Sequence, residues 1–254
     1  MEYCLLNNVK LIIPTIDTEL SKLSLLRNDL LSQGCVAAVS DAGIINVCRD
    51  KRRTADFFEK FGIQSPKIYD PESLSYPILV KPYDGSLSAG ISILKSPLEM
   101  TNSILHNPKN IFCEYIDPKY YDEYTCDTYF DNDGFLLCVV PRLRIEVRGG
   151  EVSKGRTERN NIVQFLFEKL ARVEGARGCL TIQIMRHRIR GDLYLLEVNP
   201  RFGGGYPLTA KSGATYHEWL IREYLDGATL KRFDNWEDNL TMLRYDSEVF
   251  VTHA

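Results

Sequence analysis

The hydrophobic pattern begins as an alternation of strand and helix. "VKLIIPTID" (9–17) is apolar and β-branched and breaks at Pro14 and Asp17, the pattern of a buried parallel strand. "TELSKLSLLRNDLLSQG" follows with apolar residues at 20, 23, 26 and 30 and ends on Gly34. That is a helical stripe with a glycine stop. "CVAAVS" reads as a second short strand, so the first 40 or so residues predict a β-α-β unit. "SDAGIINVC" and "RDKRRTADFFEKFG" predict two helices, the second stopping at Gly62.

Beyond residue 50 the order changes. "YPILVKP" (76–82) and "GISILKS" (90–96) predict strands on either side of "YDGSLSA", and a polar helix or loop covers 97–109 before the strand "NIFCEYI". "EYTCDTYFDNDGFLLCVVPRLRIEV" predicts a meander turning at "DNDG". Residues 158–174 predict a helix, "GCLTIQIMRH" and "DLYLLEVNP" two strands joined around Gly191, and 215–226 a helix leading into an irregular tail. Strands in antiparallel groups, without strict alternation with helices, indicate an α+β fold. No internal repeat or low-complexity segment interrupts it.

Composition narrows the function. With 254 residues and a net charge of −3, the chain can bury a sizeable core and shows no basic face for nucleic acid. No stretch reaches the roughly 20 apolar residues of a membrane span, and the start "MEYCLLNNVK" lacks the apolar run of a signal peptide. Seven cysteines are scattered without a C-x-x-C pair. They read as free thiols in a reducing cytoplasm. The "HEWL" at His217 is not H-E-x-x-H, so a zinc hydrolase has no support.

The chemistry gathers in "LYLLEVNPRFGGG" (193–205), an apolar strand that ends in a carboxylate, an amide, an arginine and three glycines. Alternate residues of a strand share a face. Glu197 and Asn199 therefore point together, with Tyr194, Leu196 and Val198 expected on the core side. Gln183, between Ile182 and Ile184, joins them if the hairpin is centred on Gly191, which places residue 183 opposite 199. Three oxygen ligands of which one is charged suit Mg²⁺ held mainly by phosphates. Glu197 alone would be equally well explained as part of a solvated sheet face; with Gln183, Asn199 and Arg201 the set points to a site. "KPYDGSLSAG" (81–90) is a Gly/Ser loop between strands, able to present backbone N–H groups to phosphate, with Lys81 as a cation. It is neither a P-loop nor a Rossmann turn. Glu114 lies at a strand end fit to hydrogen-bond a base, and Glu123 is placed for ribose hydroxyls.

The order of "RDK", "VKP", the Gly/Ser loop, "CEYI", "EYT", "PRLR", "SKGRT", "TIQI" and "LLEVNPR" resembles the ATP-grasp superfamily, specifically proteins similar to the large subunit of carbamoyl phosphate synthase. The fourteen residues from Gln183 to Glu197 and the E-x-N-P-R ending match as a set. The resemblance implies two α+β subdomains clasping ATP (49–254, with a lid at about 65–112). A truncated N-terminal Rossmann-like α/β unit (1–48) would precede them. It also implies ATP and Mg²⁺ (or Mn²⁺) as cofactors. Lys51 and Lys81 would hold phosphates. A flap carrying Gly85, Ser86, Ser88 and Gly90 would cover them. Glu114, Tyr115 and Ile116 would read adenine, and Glu123 the ribose. Gln183, Glu197 and Asn199 would hold metal. Arg201 would neutralise the transferring phosphoryl group, with Arg142, Arg144 and Lys154 lining the site. Gly203, Gly204 and Gly205 would leave room for substrate.

The implied activity is a carboxylate–amine (or thiol) ligase: ATP phosphorylates a carboxylate, and an amine or other nucleophile attacks the acyl phosphate. The partners expected are small molecules, with no nucleic acid or membrane, in a cytoplasmic protein for which a homodimer is allowed. The family's N-terminal unit is longer than this one. The alternative is therefore a truncated or non-catalytic ATP-binding protein without a complete acceptor site.

Overall fold

The computed structural model describes residues 2–85 and 90–252. The N-terminal unit contains α1 (Glu2–Leu6), β1 (Leu11–Ile12), α2 (Asp17–Ser32), β2 (Val36–Ala37), α3 (Ala42–Arg49) and α4 (Lys51–Lys60). β1 and β2 pair in parallel, Leu11 with Val36 and Ile12 with Ala37, so the expected β-α-β is present. The strands are short because Pro14 has no N–H to continue the ladder. α2 sets Leu20 and Leu30 into a core with Cys35, Ala37, Val39 and Ile45.

A small four-stranded antiparallel sheet follows. It contains β3 (Ile68–Tyr69), β4 (Ile78–Pro82), β5 (Ser92–Leu94) and β6 (Asn110–Glu114), ordered β3-β6-β4-β5. Ile78, Val80, Leu94 and Phe112 form its core, covered on the side of the short α5 (Asn102–Leu105) by Ile104 and Leu105.

The main sheet has six antiparallel strands. They are β7 (Tyr121–Phe130), β8 (Leu136–Arg148), β9 (Glu151–Thr157), β10 (Gly178–His187), β11 (Leu193–Asn199) and β12 (Thr241–Leu243), ordered β11-β10-β7-β8-β9-β12. One face packs against α3, α4 and α6 (Asn161–Lys169) through Phe58, Ile162, Leu166, Ile182, Ile184 and Leu195. The other face is covered at one end by α7 (Tyr206–Lys211) and α8 (Tyr216–Tyr224), where Tyr129, Cys138, Val140, Tyr216 and Leu220 pack. Its other end forms the floor of the cleft.

Several elements depart from the sequence pattern. α6 is shorter than the 158–174 expected. Asn160 caps its start by accepting from the Ile162 N–H. Residues 171–173 leave the helix to hydrogen-bond the β7–β8 turn, through Ala171 O to Leu136 N and Val173 N to Gly134 O. β9 carries charges and glycine with little alternation, and α7 begins just after the glycine run; neither pattern announces an element. No helix among the described residues is long and apolar enough to cross a membrane.

The "DNDG" turn is over-determined. Asp131 accepts from the N–H groups of Asp133 (3.0 Å) and Phe135 (2.8 Å). Gly134 has φ +80, and a Cβ there would collide with the Val173 carbonyl oxygen. Gly149, at the β8–β9 turn, has φ +56 with nothing near a Cβ. Gly149→Ala should cost about 1–2 kcal/mol for the left-handed backbone alone. Gly134→Ala should cost clearly more, because backbone must also move. Urea unfolding of the two variants measures the difference, and equal losses would contradict the close approach.

Candidate active site

A β-bulge decides what faces the cleft. On β10 and β11, Ile184 pairs with Leu195 and Gln183 with Glu197, so Leu196 is the extra residue. Gln183 thus lies opposite Glu197, and Thr181 opposite Asn199, correcting the 183-to-199 pairing expected from a regular hairpin. The core residues of β11 are Leu193, Leu195 and Val198, not Tyr194, Leu196 and Val198. Regular alternation would have sent Glu197 into the core beside Leu195. The bulge reverses the phase, as bulges beside active sites do, and Glu197, Asn199, Gln183 and Thr181 share one polar face.

Lys51 reaches that face from α4. Asp50 caps the helix by accepting from Arg52 N–H (3.0 Å), which places Lys51 at the first helical position. Its Nζ donates to Gly85 O at 2.6 Å and lies 3.3 Å from Glu197 Oε2. Lys81 on β4 has its pKa lowered from the usual lysine value, first by burial and then by Lys51, while Cys113 and Glu197 act the other way. Two cations, a carboxylate and the start of the Gly/Ser loop therefore meet. Gly85 and Gly90 both lie against the Pro82 ring, where an added Cβ would come within 3.1–3.2 Å of its carbons. Ser86 and Ser88 lie outside the described residues.

Glu114 ends β6, its N–H donating to Lys67 O (2.8 Å) and its Oε2 accepting from Lys67 N–H (3.2 Å). Tyr115 and Ile116 connect the two sheets, and among the described residues their backbone groups have no hydrogen-bond partner. An edge of that kind is open to a ligand. Across from it stands Tyr194, whose hydroxyl pKa is raised by burial and then by Glu114. Glu123 sits deeper than a ribose-only role requires. It pairs with Arg144 Nε at 3.3 Å, and burial, with a further push from Glu197, raises its pKa against the pull of Arg144.

Arg142 is 1% exposed. Its Nε and Nη2 donate to Asp127 Oδ2 (3.0 Å) and Oδ1 (2.9 Å). Asp127 also accepts from Thr181 (3.2 Å) and Thr209 (2.6 Å) hydroxyls, and its carbonyl accepts from Tyr216 OH (3.0 Å). Sequence reasoning missed this hub. The E-x-T-x-D alternation at 123, 125 and 127 was its available signal, since those residues share the face of Gln183. The glycines also acquire a different reason: a Cβ on Gly205 would collide with Arg142, and one on Gly204 with Glu151. At Gly204 and Gly205, protein side chains take the space a Cβ would need.

Arg201 donates from Nη2 to Asp17 Oδ2 (2.6 Å) and from Nη1 to Phe202 O (3.1 Å). Lys154 does not belong to this group. It lies on the opposite side of β9 from Gly155, which pairs with Arg144. Its Nζ is spent on Glu146 Oε2 at 2.7 Å on the surface.

The donor set suits a hard divalent cation. Asn199 Nδ2 donates to Glu197 Oε1 at 3.2 Å, so the amide and carboxylate already converge, with Gln183 in the adjacent register. No group of three or more His, Cys, Asp or Glu side chains that could hold a metal occurs among the described residues. A cation here would therefore need phosphate oxygens to complete its shell, which is the usual arrangement for Mg²⁺.

Two outcomes follow from this geometry. Asp127→Ala leaves a buried guanidinium unpaired and should cost about 3–5 kcal/mol, whereas Asp127→Ala combined with Arg142→Met should recover part of the loss. Denaturant midpoints measure both, and an additive double mutant would contradict the coupling. For Glu123, a raised native pKa means the folded state holds the proton more tightly, so its contribution to stability falls as pH rises from the ordinary 4.5 through the native value. The stability of Glu123→Gln relative to the unmodified protein should therefore improve across that window and level off above it. A difference flat with pH would contradict the burial.

Comparison with known proteins places this geometry. The ATP-grasp domain family matches residues 48–205. The carbamoyl phosphate synthase large chain of Clostridium beijerinckii is 25% identical over 231 residues, covering 81% of this chain and 21% of that protein. That of Clostridium botulinum is 26% identical over 197 residues, covering 67% and 18%. The chain thus spans about a fifth of the length of these relatives. Among solved structures, the biotin carboxylase domain of Hydrogenobacter thermophilus 2-oxoglutarate carboxylase superposes with a TM-score of 0.76 at 17% identity, over 94% of this chain and 59% of that one. The L-amino acid ligase of Bacillus licheniformis gives 0.66 at 16%, over 88% and 58%. With its two sheets, Lys51 and Lys81 beside Glu197 and the E-x-N-P-R strand end within the matched span, this chain belongs to the ATP-grasp family.

Proposed function

We propose that this protein is an ATP- and Mg²⁺-dependent ligase that activates a carboxylate as an acyl phosphate for attack by an amine or other nucleophile. The observation that carries this reading is Lys51 Nζ, which touches both Gly85 O (2.6 Å) and Glu197 Oε2 (3.3 Å). Three segments far apart in the chain deliver a cation, a phosphate-type loop and a carboxylate to one point. Such an assembly has no structural need. The relatives named carbamoyl phosphate synthase and L-amino acid ligase support the same class, the first of them over only part of its length.

In this reading Lys51 and Lys81 bind the phosphates, and the free backbone edge of Tyr115 and Ile116 reads adenine beside Glu114. Glu123, tied to Arg144, takes a ribose hydroxyl. Gln183, Glu197 and Asn199 would hold Mg²⁺, which would supply positive charge to the bound phosphates. The γ-phosphoryl group passes to a carboxylate oxygen as the bond to ADP breaks. The nucleophile then attacks the acyl carbon and displaces phosphate. The protein's contribution is positioning and charge stabilisation. Arg201, held by Asp17, is the cation at the end of the strand carrying Glu197 and Asn199, and Arg142, fixed by Asp127, supports the floor beneath it.

The test is ADP release from Mg-ATP in the presence of pooled carboxylates and amines. Glu197→Gln keeps the side chain's shape and removes one partly exposed ion pair, worth about 1 kcal/mol or less. Folding should survive, and Mg²⁺-dependent ADP release should be abolished. A variant that melts early yet turns over normally would show that Glu197 is a structural charge.

A further inference from the structure

A second carboxylate faces the cleft. Asp17, the first residue of α2, lines the cavity that also reaches Lys51, Gly85, Glu197 and Asn199. Glu197 engages both of its oxygens, one with Lys51 and one with Asn199. Asp17 engages one: Oδ2 accepts from Arg201 Nη2 at 2.6 Å, and Oδ1 accepts no hydrogen bond among the described residues. Arg201 holds the carboxylate in place and leaves its other oxygen available in the cavity. Leu20, Ile45 and Cys48 line the cavity beside it, together with the charged Arg49, Lys51 and Asp84.

We propose that Asp17 binds the attacking nucleophile, and that this nucleophile is a primary amine arriving as its ammonium. The inference rests on the ligase reading above and narrows it. A carboxylate with an oxygen free in a cavity recognises a cationic N–H donor. It repels the carboxylate to be activated, which therefore approaches from the Lys51 side. A thiol brings no positive charge to that oxygen.

The step balances. The ammonium gives one proton to Asp17 Oδ1, freeing the nitrogen lone pair. The C–N bond forms at the acyl carbon, and the C–O bond to phosphate breaks with its electron pair leaving on phosphate. The second nitrogen proton goes to the departing phosphate, and Asp17 returns its proton to solvent.

The experiment uses the full chain with Mg-ATP and an equimolar mixture of the twenty amino acids and small mono- and dicarboxylates. Amide products and ADP are measured. A parallel sample contains hydroxylamine, a small neutral trap that converts acyl phosphates to hydroxamates without an ammonium site. The unmodified protein should give hydroxamate with the trap and amide without it. Replacing the amino acids by their N-acetyl forms should abolish amide and keep hydroxamate. Asp17→Asn, which can still accept from Arg201, should lower the amide-to-hydroxamate ratio at least tenfold. It should also raise the amine concentration for half-maximal rate by a similar factor, while Asp17→Glu restores much of both. A ratio unchanged in Asp17→Asn, or amide and hydroxamate falling together with the melting temperature, overturns the role of Asp17 and leaves the ligase reading standing. Thioester in place of amide when thiols are added overturns the amine assignment. Absence of hydroxamate from the unmodified protein overturns the ligase reading, and this inference with it.

Discussion

The extra residue in β11 is the constraint on which the cleft depends. β11 must bury Leu193, Leu195 and Val198 against α3 and α4 and also present Glu197 and Asn199 to the opposite side. A regular strand cannot do both, because its side chains alternate without exception. Inserting Leu196 opposite the Gln183–Ile184 step resolves the conflict: apolar residues fall at odd positions before the bulge and at an even position after it. The polar face then gathers Gln183 and Thr181 from β10 and Thr125 and Asp127 from β7, all in register across three strands.

Beneath that face lies a second commitment. Asp127 and Arg142 are almost fully enclosed, and their charges are tolerable only because every oxygen of the carboxylate is used. Apolar residues of similar volume would often be at least as stable in such a place. The pair does something packing alone would not. Through Thr181, which bonds both Asp127 and the Arg201 carbonyl, and through Thr209 on α7, it ties the central strand to the chain on both sides of the glycine run. The glycines are required because the guanidinium and Glu151 occupy the space a side chain would need.

The sequence made most of the main strands visible, because their apolar periods are long and their turns are marked by Gly, Asn and Asp. The identity of the polar face was legible too, since Glu197 and Asn199 are two apart. Their register with Gln183 was not, because a bulge inserts a residue without any compositional mark, and Leu196 looks like any other core leucine. Lys154 failed for a related reason. A basic residue within a motif-like string carries no information on which side of its strand it emerges, and the shift at Ile145 on β8 left it facing Glu146. Asp17 and Asp127 were invisible as partners because each meets an arginine distant in sequence. Only the fold brings "PTID" beside "NPR".

The electrostatics of the cleft join these observations. Burial lowers the Lys81 pKa and the nearby Lys51 lowers it further, against the pull of Cys113 and Glu197. Glu197 also meets Lys51, through a 3.3 Å contact that is longer than a well-formed charged hydrogen bond. In the proposed function, phosphate oxygens take over both lysines and release Glu197 toward Asn199 and Gln183. The burial that penalises the Lys81 ammonium also reduces screening, so its attraction to a phosphate is greater than it would be on the surface. The protein therefore holds its cations in a state that a polyanion relieves. Asp17, with its unshared oxygen in the same cavity, is the anion that the proposal leaves to a positive guest.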